Sequence, residues 1–501
     1  MKQKKKVSMS PYDLYLHTLS AQELTALSAF WEEVESHCTL SKKEKARLRA
    51  DYESALLAFA ALGVPAETAL ERMAVRHLGG FYARPAILWY PLDDAAKIYP
   101  LSMKQGQMAV FRLSVYFKED VVPALLQMAL TFTIKRFPSF ATTVKKGFFW
   151  HYLDTAKRRF VIEPDTGYPC RPLKVGRSGS QSFRVMYFRS RVSIEFFHIL
   201  TDGTGGMVFL KALTAEYLRL LGVEPAEPGS VTDPDAVPDA QETANEFDRA
   251  DQTEKSAGFM EKSAVQMSGR LSRARPCRVL HFKMDSDALK AAAKGKSSTV
   301  TSYLLAQLFL AGRYATDELQ GEMSIQVPVN MRKFYPSRTV RNFAMYCGVR
   351  LPLQRITRAE DILPEISRQL EEKASRQAMS EMMNATQKLV GALRFIPLFI
   401  KAPAARMVYG FLGDKIFSNT LSNLGVVQLP APLDGYIDSM DFVLGTALTN
   451  RAGCSLVTFG HTATLSIAKM TADPSFEERL YDLLQADGID ITVEGSASCE
   501  D

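Results

Sequence analysis

Residues 191–222 change hydrophobic period once, and that change constrains the fold more than any other feature of the chain. RVSIEFFHIL alternates, which puts Val192, Ile194, Phe196 and His198 on one face of a strand. TDGTGG then supplies a glycine-rich turn, and MVFLKALTAEYLRLLG carries apolar residues at helical spacing. Strand, tight turn and helix in immediate succession require an architecture that mixes sheet and helix. The junction also delivers an imidazole at the C-terminal end of a strand, beside an open turn on a rigid scaffold. Histidine has the unperturbed pKa nearest neutrality, so it can take a proton from an alcohol or amine and return one to a leaving group. Asp202, four residues on, is placed to orient the ring or to pin the turn by pairing with an arginine.

The mixed texture extends along most of the 501 residues, a length that suggests roughly two to four domains. Residues 1–82 read as a helical module. Leu24, Leu27, Phe30, Trp31 and Val34 recur at helical spacing, Ser41-x-x-Glu44 reads as a capping box, and Gly63 and Gly79-Gly80 act as stops. Residues 83–224 form an N-lobe of strands and helices that contains the His198 turn. Residues 225–262 carry ten acidic and three basic residues with Pro225, Pro228, Pro234 and Pro238, the composition of an exposed linker. Residues 263–501 form a C-lobe of similar texture. The expected class is α+β, or mixed α/β.

Composition excludes several function classes. A net charge of +6, with four lysines at positions 2–6, is too weak a basic excess for nucleic-acid binding. Six scattered cysteines make neither a disulfide framework nor a metal pair, and a reducing, cytoplasmic compartment fits best. The basic start lacks the apolar run of a signal peptide. No stretch is apolar enough to span a membrane. Residues 389–412 come nearest, but Arg394, Lys401, Arg406, Pro397 and Pro403 interrupt them. They read first as core helices flanking a pocket, and otherwise as a segment in peripheral contact with a membrane.

The pattern His198-x-x-x-Asp202-Gly203, at a strand end and followed by a helix, resembles the signature of the chloramphenicol-acetyltransferase-like superfamily. That group includes peptide condensation domains, plant acyl-CoA-dependent acyltransferases, polyketide-associated acyltransferases and alcohol acetyltransferases. The bacterial alcohol-acetyltransferase-like branch is the nearest in flavour. The resemblance implies two lobes with an active-site tunnel between them, His198 as general base, and Asp202 and Gly203 in structural roles. Condensation domains usually carry a second histidine just before the first. Phe197 stands there, which points toward simple O- or N-acyl transfer.

Three more stretches fit the resemblance, in the family's order. Val329-Asn330-Met331-Arg332 and Arg341-Asn342-Phe343 are similar to a Val-Asn-x-Arg and a Gly-Asn-Phe, with Arg341 replacing the glycine. Arg332 is thereby the expected partner of Asp202, and Asn330 a substrate-binding candidate. Residues 418–430 resemble the strand that crosses from the C-lobe toward the active site. Thr420, Ser422 and Asn423 in it are candidates to hydrogen-bond an oxyanion. Asp441-Phe442-Val443-Leu444-Gly445 matches a plant-enzyme motif at three of five positions. The implied donor is an acyl-coenzyme A, acetyl first, with an acyl-carrier-protein thioester as the alternative and no permanently bound cofactor.

Rival readings are weaker. Gly176-x-Ser178-x-Ser180 lacks the second glycine of a serine-hydrolase elbow and reads as a loop. His281 and His461 have no partners at metal-ligand spacing, so no metal is expected. Met379, Met382 and Met383 are candidates to line a greasy acceptor pocket. A non-catalytic scaffold of the same fold is the remaining alternative.

Overall fold

A computed structural model of the chain describes residues 9–79, 82, 87–102, 108–156, 159–174, 181–227, 229–251, 262–271, 276–412, 416–445 and 451–495. The lysines at 2–6, Cys499 and the Gly176–Ser180 loop lie outside them. The chain opens with α1 (Pro11–Leu16), α2 (Ala21–His37), α3 (Lys42–Ala61) and α4 (Ala66–Arg72). Ser10 with Asp13 and Ser20 with Glu23 make reciprocal capping boxes. At α3 only half of the expected box forms. Ser41 accepts from the Glu44 amide, while the Glu44 carboxylate pairs with Arg47 at 2.8 Å.

The N-lobe follows with β1 (Trp89–Pro91), α5 (Asp94–Ser102), β2 (Val110–Phe117), α6 (Pro123–Thr133), β3 (Thr142–Lys146), β4 (His151–Thr155), β5 (Ile162–Pro164), β6 (Phe183–Phe188), β7 (Arg191–Phe197) and α7 (Gly203–Leu220). The helical module has no core of its own. Tyr52 and Phe59 of α3 are fully buried in the cluster that contains Phe132 of α6, and Arg159 pairs with Asp51 across the seam. The module is therefore a wall of the N-lobe.

The C-lobe holds β8 (Arg278–Asp285), α8 (Ser286–Gly295), α9 (Val300–Tyr314), β9 (Glu322–Asn330), β10 (Ala344–Pro352), α10 (Ala359–Lys373), α11 (Arg376–Ala392), α12 (Leu398–Leu412), β11 (Asn419–Val427), β12 (Ile437–Leu444), β13 (Ala452–Phe459), β14 (Thr462–Lys469), α13 (Ser475–Ala486) and β15 (Ile491–Gly495). Seven of its strands form one sheet in the order β10-β9-β11-β13-β14-β8-β15. The N-lobe sheet runs β12-β2-β7-β6-β5, beside a small sheet β1-β4-β3. The class is mixed α/β in two lobes.

One expectation about the crossing strand is corrected. Residues 418–430 stay in the C-lobe sheet, where β11 lies between β9 and β13. The strand that crosses is β12, which pairs antiparallel with β2 and becomes an edge of the N-lobe sheet. It carries the Asp441–Gly445 stretch with it. Both segments are short and β-rich, and strand composition alone does not say which sheet edge a strand joins. The acidic connection is also less free than its composition suggests. His77 pairs with Asp235 at 2.7 Å, Arg136 pairs with Glu242, and Phe247 is fully buried in the C-lobe core.

Candidate active site

His198 is the residue after β7, and its amide donates to Ala109 O at 2.7 Å, extending the pairing with β2 by one step. Aromatic walls hold its ring. Tyr99 of α5 stacks on it with centroids 5.0 Å apart, and Phe111 of β2 meets it edge-on at 5.3 Å. Nδ1 lies 2.8 Å from Asn342 Oδ1, and Asn342 Nδ2 donates to the His198 carbonyl at 2.6 Å.

That reciprocal pair determines the tautomer. The amide nitrogen is committed to a carbonyl, so the amide oxygen faces Nδ1 and Nδ1 carries the proton. Nε2 then holds the lone pair, and no described residue hydrogen-bonds it. Behind Asn342 sits the buried Asp93, whose pKa is raised by burial against the pull of Arg341. Arg341 Nη2 is 3.6 Å from Asp93 Oδ2; Asp93 Oδ1 accepts from the Ala96 amide in the first turn of α5.

Asp202 closes the turn. It is the N-cap of α7, its Oδ1 accepting from the Gly205 amide at 2.9 Å. Oδ2 accepts from Arg332 Nη1 at 2.7 Å and from the Phe343 amide at 2.7 Å. Arg332 also donates from Nη2 to the carbonyls of Thr339 and Arg341. One guanidinium thus holds the loop that carries Asn342 against the turn that carries His198. Packing there is close: a Cβ on Gly205 would stand 2.1 Å from Val340 O and 2.3 Å from Thr201 Oγ1. Gly203 instead faces Leu424 of β11, 2.7 Å from where its Cβ would be.

The other candidates separate by strand alternation. Cross-strand partners share a face, so Ser422, Ser455, Ser466 and His281 form one rung across β11, β13, β14 and β8. That rung faces β12: Ser455 Oγ donates to Phe442 O, and His281 Nε2 is 3.9 Å from Asp441 Oδ2. Ser422 is buried at its end, and its hydroxyl has no hydrogen-bond partner among the described residues. Thr420 shares the face and donates to Gln326 Oε1 at 3.2 Å. Asn423 points the other way and donates to Thr301 Oγ1 of α9 at 3.1 Å, so the geometry does not group it with Ser422. Asn330 is occupied at both ends of its amide. Oδ1 accepts from the Arg332 backbone and Nη1, and Nδ2 donates to Thr204.

Tyr99 and Asp93 carried no sequence signal. Asn342 lies in a recognisable tripeptide, but nothing local ties it to a histidine 144 positions earlier. No group of three His, Cys, Asp or Glu side chains among the described residues is arranged to hold a metal ion. A surface cleft of about 540 Å³ is lined by Ser263, Gln266, Asp317, Glu318 and Arg451 and contains none of these residues. The site is marked by side-chain geometry, not by cleft size.

No family model matches the chain, and no curated protein matches it in sequence. Solved structures do match. The trichothecene 15-O-acetyltransferase from Fusarium sporotrichioides superimposes with a TM-score of 0.52 at 12% identity, over 81% of this chain and 98% of its own. The first condensation domain of the calcium-dependent antibiotic synthetase gives 0.53 at 14%, over 82% and 100%. TRI101 of F. sporotrichioides, complexed with coenzyme A and T-2, gives 0.54 at 12%, over 79% and 97%. The chain has the two-lobed chloramphenicol-acetyltransferase-like fold. Within that fold the β7–α7 junction carries His198, and β12 is the strand exchanged between the lobes.

Proposed function

We propose that the chain transfers an acyl group, acetyl first, from a coenzyme A thioester to a hydroxyl or amine, with His198 as general base. The observation that carries the reading is the Asn342 clamp, which leaves the Nε2 lone pair unengaged at a strand end between aromatic walls. Nε2 takes the proton of the acceptor as its oxygen or nitrogen attacks the thioester carbonyl. The C–S bond of the tetrahedral intermediate then breaks, and the imidazolium returns its proton to the departing thiolate. No covalent enzyme intermediate is needed.

The oxyanion needs a preorganised donor, worth about 3–4 kcal/mol in acyl-transfer sites. Ser422 is the first candidate, because its side chain is largely buried and its hydroxyl has no hydrogen-bond partner among the described residues, and Thr420 the second. A passage between the lobes would bring donor and acceptor to His198 from opposite sides, removing much of the entropic barrier. The kinds of partner are supported by the neighbours: one is complexed with coenzyme A, and another is a condensation domain. Met379 and Met383, both buried, are the proposed lining of an apolar acceptor pocket.

The test is thiol release from acetyl-coenzyme A with a panel of alcohols and amines, comparing wild type with His198→Ala. Release that disappears in a folded variant supports the reading. Release from a loaded acyl carrier protein but from no coenzyme A thioester replaces the donor. Release from neither leaves a non-catalytic scaffold.

A further inference from the structure

Two segments far apart in sequence meet at one surface. The β3–β4 hairpin ends in Gly147-Phe148-Phe149-Trp150, and the α11–α12 connection carries Phe395, with Phe399 and Ile400 opening α12. The Leu398 amide donates to Phe148 O at 2.9 Å, the Phe149 and Phe395 rings meet at 6.5 Å, and Lys401 Nζ sits 3.1 Å from the Trp150 ring centroid. Leu398, Lys401 and Ala402 turn inward, so Phe399 and Ile400 turn out. Phe148 is 66% exposed, Phe395 70% and Phe399 71%. A cluster of aromatic tips this exposed is not a core feature and marks an interaction surface.

Charge selects the occupant. Residues 142–153 and 385–405 carry no Asp or Glu, and besides the buried Lys401 they carry Lys145, Lys146, Lys388 and Arg394, which reach the surface. Aromatic tips rimmed by cations of one sign match an anionic lipid–water interface, which accepts rings at headgroup depth and attracts basic side chains. The surface also adjoins the site. Beneath it Leu101 of α5 packs on Leu398 and Ala402, and the same helix carries Tyr99, stacked on His198. No helix among the described residues is long and apolar enough to cross a membrane.

We infer that the hairpin tip and the α11–α12 turn together dock the protein onto the surface of an anionic phospholipid bilayer. The docking is separable from acyl transfer, and its assay reads binding alone.

The experiment is co-sedimentation of the full chain with phosphatidylcholine vesicles, with and without about 30% phosphatidylserine. Wild type is expected to sediment with the anionic vesicles and to be released by salt. Phe148→Ser with Phe395→Ser, and separately Lys145→Glu with Lys146→Glu, should each lower the partition coefficient at least about tenfold. The thermal midpoint should change little, because Phe148, Phe395 and Lys146 are exposed and Lys145 is half-buried. The lysines at 2–6 are common to all variants, so the difference reads the patch. Equal binding to both vesicle types, or equal binding by wild type and variants, overturns the proposal. So does self-association in analytical ultracentrifugation that the Phe148 and Phe395 changes abolish, since it makes a second copy the occupant.

Discussion

Asn342→Ala removes two hydrogen bonds and no charge. One is Nδ1–H to Oδ1 at 2.8 Å, and the other is Nδ2–H to the His198 carbonyl at 2.6 Å. Each is a neutral pair worth about 1 kcal/mol net, so their joint loss is about 2 kcal/mol. If all of that acted through the orientation and tautomer of the imidazole, kcat would fall about 30-fold. Removing the base itself costs about 10²–10⁴-fold. The expected order is therefore wild type, then Asn342→Ala, then His198→Ala, with KM for the acceptor little changed in the first variant. A rate alone does not separate positioning from a general loss of structure. Long-range ¹H–¹⁵N correlation spectra do, because the chain has seven histidines and His198→Ala identifies its own signals. Wild type should show the proton on Nδ1, and Asn342→Ala a mixture of tautomers. A wild-type proton on Nε2 would refute the reasoning, because the lone pair would then face the amide. So would a variant that keeps both the rate and the tautomer.

The remaining predictions concern the frame around the ring. Asp202→Ala leaves Arg332 Nη1 with only its 3.3 Å contact to Asn330 Oδ1 and the Phe343 amide without its acceptor in a buried turn, and should cost about 3–5 kcal/mol in chemical denaturation. Gly205→Ala should disrupt folding or displace α7, since its Cβ would meet backbone at Val340. Gly203→Ala should cost at most about 1–3 kcal/mol, since the Leu424 side chain can yield; a reversed order in thermal melts would contradict the packing. Burial, assisted by Lys97, lowers the Lys401 pKa to about 8. Between about 8 and the unfolded value of about 10.4 the folded state holds fewer protons than the unfolded chain, so this group adds stability as pH rises. Relative to wild type, Lys401→Met should lose stability across that window and not below it, measured by denaturant midpoints at pH 7, 9 and about 10.4.

The legible parts of the site are those encoded locally. Strand alternation, a glycine turn and a helical repeat lie within 191–222, so the placement of His198 at a strand end and of Asp202 in the turn after it follow from period and turn chemistry. The Arg332 contact lies 130 positions away and became readable only through the spacing of Val329-Asn330-Met331-Arg332 with Arg341-Asn342-Phe343. Ser422 and Asn423 differ in face, which alternation could have separated, but which face meets the N-lobe depends on β12 packing over the rung. The exchanged strand is hidden for the same reason: the backbone edges that β2 and β9 offer to β12 and β11 carry no side-chain code.

Arg341 shows how a departure from a motif can be informative. A glycine there would leave a gap. The arginine is 2% exposed and reaches Pro91 O at 2.6 Å with Nη2 and Thr243 O at 3.2 Å with Nη1. Pro91 ends β1 just before the α5 cap at Asp93, and Thr243 lies in the acidic connection. Its own backbone carbonyl accepts from Arg332. One buried cation therefore joins the segment that carries Tyr99, the connection between the lobes and the loop that carries Asn342. A buried cation is costly unless it is paired and bonded, and here two carbonyls and Asp93 meet its Nη1 and Nη2 from separate segments, while Nε has no hydrogen-bond partner among the described residues. Those segments must all be in place for the charge to be tolerated, so the imidazole is held by a condition that the fold as a whole meets.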